Sequence, residues 1–503
     1  MCTLDYWDSD LDLEVSDDSL QASCMHTMGM QYLWKGCRST HGIKGGKYMF
    51  EVKVLENLKV QMPETKPQNQ NICRVGVSLP LSSLMLGDTP ESWGWGGTGK
   101  KSHNGEFTTY GKAFGVGDVV GCVVDMDDGV VSYTLNGQFM GIAFTGIPDS
   151  AWEAGLFCHI LLKNVRVQVN FNASSMWFKP PGQAIKFFDD ASKHDIVGNP
   201  VAHPRTQQDC EFIQMVGLPA CGKTYWAERH MEAHPRESYV LLGTNAIIDR
   251  MKVIGLNRQR NYAERWEELI SQATPIFNEM VKIAGRSPRN FILDQTNVFP
   301  KARARKASSF ARFGTRRCVC IVNDKRTLDE RTAKQQREEG KFVPESAVAD
   351  MMINFTCPEL RDGFTTIDFV ELPERDARQM IREYNQLGRQ FKQQNPGKGG
   401  NTPKPALESR PMHTIGRASE WAAKEGWGSA KRDRSRSRDR GLGGKGGYDK
   451  GGKGWGGKGG GYGGGGHGGG GYGGGGYGGG GHGNAAGFGN RGYQGGGGYR
   501  GSW

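Results

Sequence analysis

The stretch Gly217-Leu218-Pro219-Ala220-Cys221-Gly222-Lys223-Thr224 has the spacing G-x-x-x-x-G-K-T, and it constrains the fold more than any other part of the chain. It follows the apolar run EFIQMV and opens the helix-forming run KTYWAERHMEAH. A strand that ends in such a loop and continues as a helix wraps backbone N–H groups around a phosphate. Gly217 and Gly222 let the loop curl, and the helix N-terminus adds roughly half a positive charge. In this pattern Lys223 reaches the β/γ-phosphates and the Thr224 hydroxyl ligates Mg²⁺. ATP or GTP with Mg²⁺ is the expected cofactor.

Residues 209–392 carry further strand and helix runs in alternation. SYVLLG, NFILD and RRCVCIVN read as strands, and PKARARKASSFARFG and residues 376–392 as helices. A helical period also crosses 265–285, with Pro275 the position able to interrupt it. This alternation predicts an α/β domain with a mostly parallel sheet. Asp294 ends an apolar strand and is expected to hold Mg²⁺ through water. Thr296 and Asn297 follow it, within reach of a substrate. Arg331, Lys334 and Arg337, with Lys341, recur at helical spacing and form either a cationic lid over phosphates or a solvated face.

Residues 1–199 read as a β-sandwich behind an acidic lead-in. KYMFEVKV alternates with period two. Asp128-Gly129 and Asn136-Gly137 each separate two apolar runs, and both dipeptides supply the positive φ that tight hairpins need. The one helix expected here is short, near residues 17–25. Trp93 and Trp95 are either partner contacts on a loop or caps on the core. The polar segment 200–208 reads as a linker.

Residues 393–503 hold an Arg-Ser stretch around Ser435 and Ser437, then glycine interleaved with Tyr and His. Too little apolar surface is present to offset a backbone entropy of about 1–2 kcal/mol per residue, so disorder is expected. The chain of 503 residues carries a net charge of +11, with the cations concentrated after residue 286. A basic, low-complexity tail fits a polyanion, and RNA is the expected partner. Arg440, Arg491 and Arg500 supply charge, while Tyr462, Tyr472, Tyr477, Tyr493 and Tyr499 stack on unpaired bases. The same composition supports self-association. The 11 cysteines show no CxxC or zinc spacing. With no secretory leader and no membrane-length apolar run, reduced thiols and an intracellular chain are expected.

The first segment resembles the SPRY (B30.2-like) domain, through YLWKGCRSTHGIKGGKYMFEVKV, CRVGVSL and DVVGCVVDMDDGVVSYTLNGQFMGIAF. The resemblance implies a non-enzymatic sandwich that binds a protein partner through its loops. The second segment resembles the polynucleotide kinases. There the strand after the P-loop helix ends in an acidic pair whose first Asp acts as base. Here SYVLLG leads to Thr244-Asn245, with Asp249 further along, so the kinase base is missing and catalysis is expected to be weak or absent.

The order of segments, with LLGTNAIIDRMKV, RNFILDQTNV and EEGKFVPESAV, resembles the heterogeneous nuclear ribonucleoprotein U and U-like family. That implies a nuclear RNA-binding protein acting in pre-mRNA processing or RNA organisation. The small SAP module of many relatives is not among these residues, so DNA binding through it is not expected. An active polynucleotide 5′-kinase or ATPase and a SPRY-based adaptor are the alternative readings. Cys221, at a helix N-terminus, is a candidate for a lowered thiol pKa.

Overall fold

The computed structural model describes residues 1–62, 65–251, 266–339 and 343–395. Period-two alternation turns Tyr48, Phe50, Val52 and Val54 of the strand Lys47–Asn57 into one buried core. The other face of this strand is also covered. Met49 packs with Val123 and Phe187. The Glu51 carboxylate accepts hydrogen bonds from Asn170 Nδ2 (3.0 Å) and from the N–H groups of Trp177 and Phe178 (2.9 Å each). The three donors offset part of the cost of burying this carboxylate.

Two eight-stranded sheets enclose the core. One runs in the order Leu4–Ser9, Lys35–Ile43, Leu156–Lys163, Ile72–Ser78, Ser92–Gly96, Lys100–His103 and Glu106–Thr109, with Ile196–Gly198 paired beside Lys35–Ile43. The other is centred on Val119–Asp125, Lys47–Asn57 and Val165–Asn170. The predicted hairpins are both present. Val130–Leu135 pairs antiparallel with Val119–Asp125 and with Gln138–Thr145. Asn136 (φ 51°) and Gly137 (φ 78°) make the second turn, the geometry that an Asn-Gly pair specifies.

One expectation fails in this domain and one open alternative is decided. No helix lies near residues 17–25; Gln21–Cys24 is a strand paired with Leu13–Val15 and Val165–Asn170. Ala22 and Cys24 point into the core from that strand, so sheet pairing overrides local preference. Of the two readings of Trp93 and Trp95, the structure bears out the caps on the core: both are buried. Trp95 is 0 % exposed, packs against Tyr110, Phe114 and Tyr133, and donates its indole N–H to the Tyr110 carbonyl at 3.0 Å.

The α/β domain is built on a five-stranded parallel sheet in the order Val240–Leu242, Phe291–Leu293, Glu211–Val216, Thr315–Ile321 and Thr366–Val370. Helices Lys223–Ala233, Thr244–Arg250, Trp266–Ala284, Pro300–Ser308, Lys325–Glu339, Glu345–Asn354 and Glu374–Gln394 belong to the same domain. Pro275 lies inside its helix without ending it. The strand Thr366–Val370 and the helix Glu345–Asn354 have no counterpart in the sequence reading. Among the described residues no helix is long and apolar enough to cross a membrane.

The acidic lead-in is structural. Leu11, Met30 and Leu33 belong to the core of the α/β domain rather than to the sandwich. Arg250 donates to Asp12 (2.8 Å) and to the Trp34 carbonyl (2.6 Å), and lies 3.4 Å from Asp10. Lys35, fully buried, lies 3.4 Å from Asp12. Burial opposes the Asp12 charge, but the Arg250 guanidinium and the Lys35 ammonium outweigh it and hold the carboxyl below its usual range. Arg289 donates to the Ser9 and Tyr6 carbonyls and lies over the Tyr6 ring.

Candidate nucleotide site

Strand order places the site. Glu211–Val216 connects onward to Val240–Leu242 on one side, whereas its neighbour Phe291–Leu293 connects to Thr315–Ile321 on the other, so the two connections leave in opposite directions. The crevice at the carboxyl ends of such strands is where ligands bind in parallel sheets. Gly217–Thr224 lies there.

The loop has the backbone its sequence requires. Ala220 (φ 60°) and Gly222 (φ 108°) take left-handed conformations, which turn N–H groups inward as an anion-binding nest. A Cβ on Gly217 would fall 2.5 Å from Cys221 Sγ and 2.6 Å from the Ile321 carbonyl, so only glycine fits. Lys223 begins the helix and is 8 % exposed; its ammonium donates to the Leu218 carbonyl at 2.7 Å, back across the loop. A buried lysine at the loop, whose hydrogen bonds reach the Leu218 carbonyl and Cys221 Sγ rather than a carboxylate, fits a bound polyphosphate. Thr224 Oγ1 donates to Asp294 Oδ2 at 2.6 Å. These hard oxygen donors suit Mg²⁺, which takes few protein ligands and completes its shell with water and phosphate. Among the described residues no cluster of three or more His, Cys, Asp or Glu could hold a metal alone. Leu218 and Cys221 are buried, Pro219 and Ala220 partly so.

The cysteine expectation fails. Cys221 is completely enclosed, and burial raises its pKa against the opposing pull of Lys223. The helix N-terminus does not offset that desolvation.

Among the described lid candidates, Arg331 is the one that reaches the loop, donating to the Cys221 carbonyl and to Glu371 (2.8 Å each). Lys334 and Arg337 are exposed on the same helix, Lys334 3.9 Å from Glu338. Lys341 lies outside the described residues, as do Arg440, Tyr462, Tyr472, Tyr477, Arg491, Tyr493, Tyr499 and Arg500 of the tail.

Across the crevice, Thr244 and Asn245 open the helix Thr244–Arg250, the position of the acidic pair in the kinases. Gln295 Nε2 donates to Thr244 Oγ1 at 3.3 Å. Gln295 Oε1 and Asn297 Oδ1 both accept from Lys306 Nζ, at 3.1 and 2.9 Å. Burial, with Arg305 beside it, lowers the Lys306 pKa to about 8. The chain Thr244–Gln295–Lys306 is therefore neutral amide and hydroxyl ending in a weakly held cation, and no carboxylate takes part. Asp249 lies more than one turn along the helix from Thr244. Asn297 also ties the loop to the central strand through the Met215 carbonyl at 2.7 Å. Sequence reading did not find Lys306 or Gln295; a lysine on the second turn of a basic helix carries no signal of its own.

Two family models match, the SPRY domain over residues 47–174 and the AAA domain over residues 212–358. The chain is 34% identical over 393 residues to heterogeneous nuclear ribonucleoprotein U-like protein 2 of Homo sapiens, covering 78% of this chain and 52% of that one. The Mus musculus protein of the same name is 33% identical over the same shares. The ATP-dependent RNA helicase Ddx1 of Drosophila melanogaster is 34% identical over 203 residues, 40% of this chain and 25% of that one. The chain spans about half the length of the U-like relatives. The chain is thus similar along most of its length to heterogeneous nuclear ribonucleoprotein U-like protein 2, and it combines a SPRY sandwich with a P-loop domain of the nucleotide-binding class. This combination fits an RNA-associated protein.

Proposed function

We propose that this is a nuclear RNA-binding ribonucleoprotein whose P-loop domain binds ATP or GTP with Mg²⁺ but transfers phosphate weakly or not at all. It acts in pre-mRNA processing or RNA organisation, a reading that the nuclear ribonucleoprotein names of the relatives support only as far as nuclear RNA-protein particles. The observation that carries the catalytic part is the pair Thr244-Asn245 at the start of its helix, tied by hydrogen bond to the Gln295 amide. Neither a hydroxyl nor an amide takes a proton from a nucleic-acid hydroxyl efficiently near neutral pH. Gly217 to Thr224 would hold the phosphates, Thr224 and Asp294 the metal, and Arg331 would approach from its helix. Mg²⁺ with the nucleotide would supply charge neutralisation at the transferring phosphate. Arg440, Arg491, Arg500 and the tail tyrosines would contact RNA and promote self-association, and the sandwich would present its loops to a protein partner.

Lys223→Ala tests the binding half. The ammonium is the one cationic side chain inside the loop, so its loss should weaken nucleotide binding at least tenfold in equilibrium dialysis with labelled ATP. The fold should survive, because the variant gives up a hydrogen bond worth about 1 kcal/mol. Equal binding by both proteins would mean that the loop does not hold nucleotide.

A further inference from the structure

The segment 295–323 contains no Asp or Glu and seven Lys and Arg. Three of the seven are absorbed by the fold. Arg303 is buried against Asp362 (2.8 Å), Lys306 lies against Gln295 and Asn297, and Arg317 pairs with Asp368. Arg316 donates to the backbone carbonyls of Gly363, Ala311 and Phe313. Lys301, Arg305 and Arg312 remain, all exposed, and none forms an ion pair among the described residues.

These three are placed together by the helix Pro300–Ser308. Lys301 and Arg305 are one turn apart on one face, separated by about 6 Å of rise. Arg312 follows in the turn that closes the helix, where its carbonyl accepts from Gln208 Nε2 at 2.7 Å. Arg286 joins them from the neighbouring helix. Gly285 packs so tightly on Ser309 that a Cβ there would collide with the Ser309 carbonyl, which fixes the exposed Arg286 beside the end of Pro300–Ser308. Acids around the patch have other partners: Asp362 is held by Arg303, Glu359 by Arg361 at 2.6 Å, and Asp209 accepts from the Thr206 N–H and hydroxyl at 2.9 and 3.0 Å. At the other end of the row Phe299 is 38 % exposed, next to Lys301.

We infer that Arg286, Lys301, Arg305 and Arg312 form a phosphate-binding track for single-stranded RNA on the α/β domain, with Phe299 as a stacking platform at its end. The row starts just after the Asp294 loop and runs along Pro300–Ser308 toward the amino-terminal edge of the sheet, where Thr315–Ile321 begins. The RNA contact is thus separate from the phosphate loop. Cations without carboxylate partners meet a polyanion at no cost of broken ion pairs, and an exposed ring accepts any base. The inference rests on the reading of the chain as an RNA-binding protein and locates a second contact, distinct from the tail.

The test uses the full-length chain and a fluorescent single-stranded RNA over a series of salt concentrations. The log of the affinity should fall with log salt by about 0.7 per phosphate contact. The variant Arg286→Gln, Lys301→Gln, Arg305→Gln, Arg312→Gln should bind several-fold more weakly, with a slope shallower by about two to three units. Swapping each Lys for Arg and each Arg for Lys should keep the wild-type slope, and Phe299→Ala should lower affinity with the slope unchanged. ATP binding should be the same throughout. Ultraviolet crosslinking of the unmodified chain supplies a readout that needs no variant, with crosslinks expected on peptides within residues 286–316. RNA binding by the wild type with an unchanged slope in the Gln variant and no such crosslinks would overturn the track alone. That result would leave the patch to an acidic protein partner. Failure of the wild type to bind RNA would overturn both the track and the RNA-binding reading.

Discussion

Arg250→Met will destabilise the chain by about 3–5 kcal/mol, the cost of leaving buried charge without its partner. Arg250 holds Asp12, which is fully buried, at 2.8 Å and lies 3.4 Å from Asp10. It also donates to the Trp34 carbonyl at 2.6 Å. Lys35 remains near Asp12 in the variant, but at 3.4 Å it is the weaker partner. Replacing Asp10 and Asp12 by Asn in the same chain should recover part of the loss, because the uncompensated charge goes with them. Urea unfolding of the single, double and triple variants measures this directly. A loss below about 1 kcal/mol for Arg250→Met would mean that the contact behaves as a surface pair. The consequence reaches the nucleotide site, since Arg250 ends the helix that Thr244 begins. Loosening the seam between sandwich and α/β domain should also weaken nucleotide binding.

Deleting residues 430–503 will lower RNA affinity by orders of magnitude at low salt and flatten its salt dependence. The deleted stretch carries twelve Lys and Arg against three Asp. Each cation that meets a phosphate contributes about 0.7 to the salt slope on single strands. Each tyrosine that stacks adds about 1–3 kcal/mol. Loss of six such phosphate contacts would lower the slope by about four units. What remains should be the part that Arg286, Lys301, Arg305 and Arg312 supply. An identical slope in full-length and truncated chains would show that the tail takes no part.

The sandwich and the α/β domain were legible in the sequence because their signals are local. Asn136-Gly137 dictates its turn, Tyr48 to Val54 dictate their strand, and Gly217 to Thr224 dictate their loop. The failures came where long-range contacts decide. Gln21–Cys24 is a strand because two others pair with it. For Trp93 and Trp95 the sequence left two readings open, because their polar, glycine-rich stretch does not encode the aromatic cluster that encloses Trp95. The acidic start of the chain read as a lead-in because its contacts to the α/β domain, through Arg250 to Asp12 and Arg289 to the Ser9 carbonyl, span more than two hundred residues. At the site, Thr224 and Asp294 were named from motif and strand end, and the structure places their side chains 2.6 Å apart. Gln295 and Lys306 were missed because a hydrogen-bonded chain across a crevice depends on tertiary placement, which no spacing encodes.

The central claim is that the loop holds nucleotide without passing its phosphate on. It is tested most directly by incubating the purified full-length protein with γ-labelled ATP, Mg²⁺ and a 5′-hydroxyl RNA oligonucleotide, and following bound ATP and transferred label together. The account predicts bound ATP, lost in Lys223→Ala, and little or no label on the oligonucleotide. A missing general base alone lowers the rate by about 10²–10⁴-fold. Thr244→Asp, which restores a carboxylate at the head of its helix, should raise transfer if the base is all that is lacking. Robust transfer by the unmodified protein, abolished by Lys223→Ala, would contradict the account and make the chain an active polynucleotide kinase.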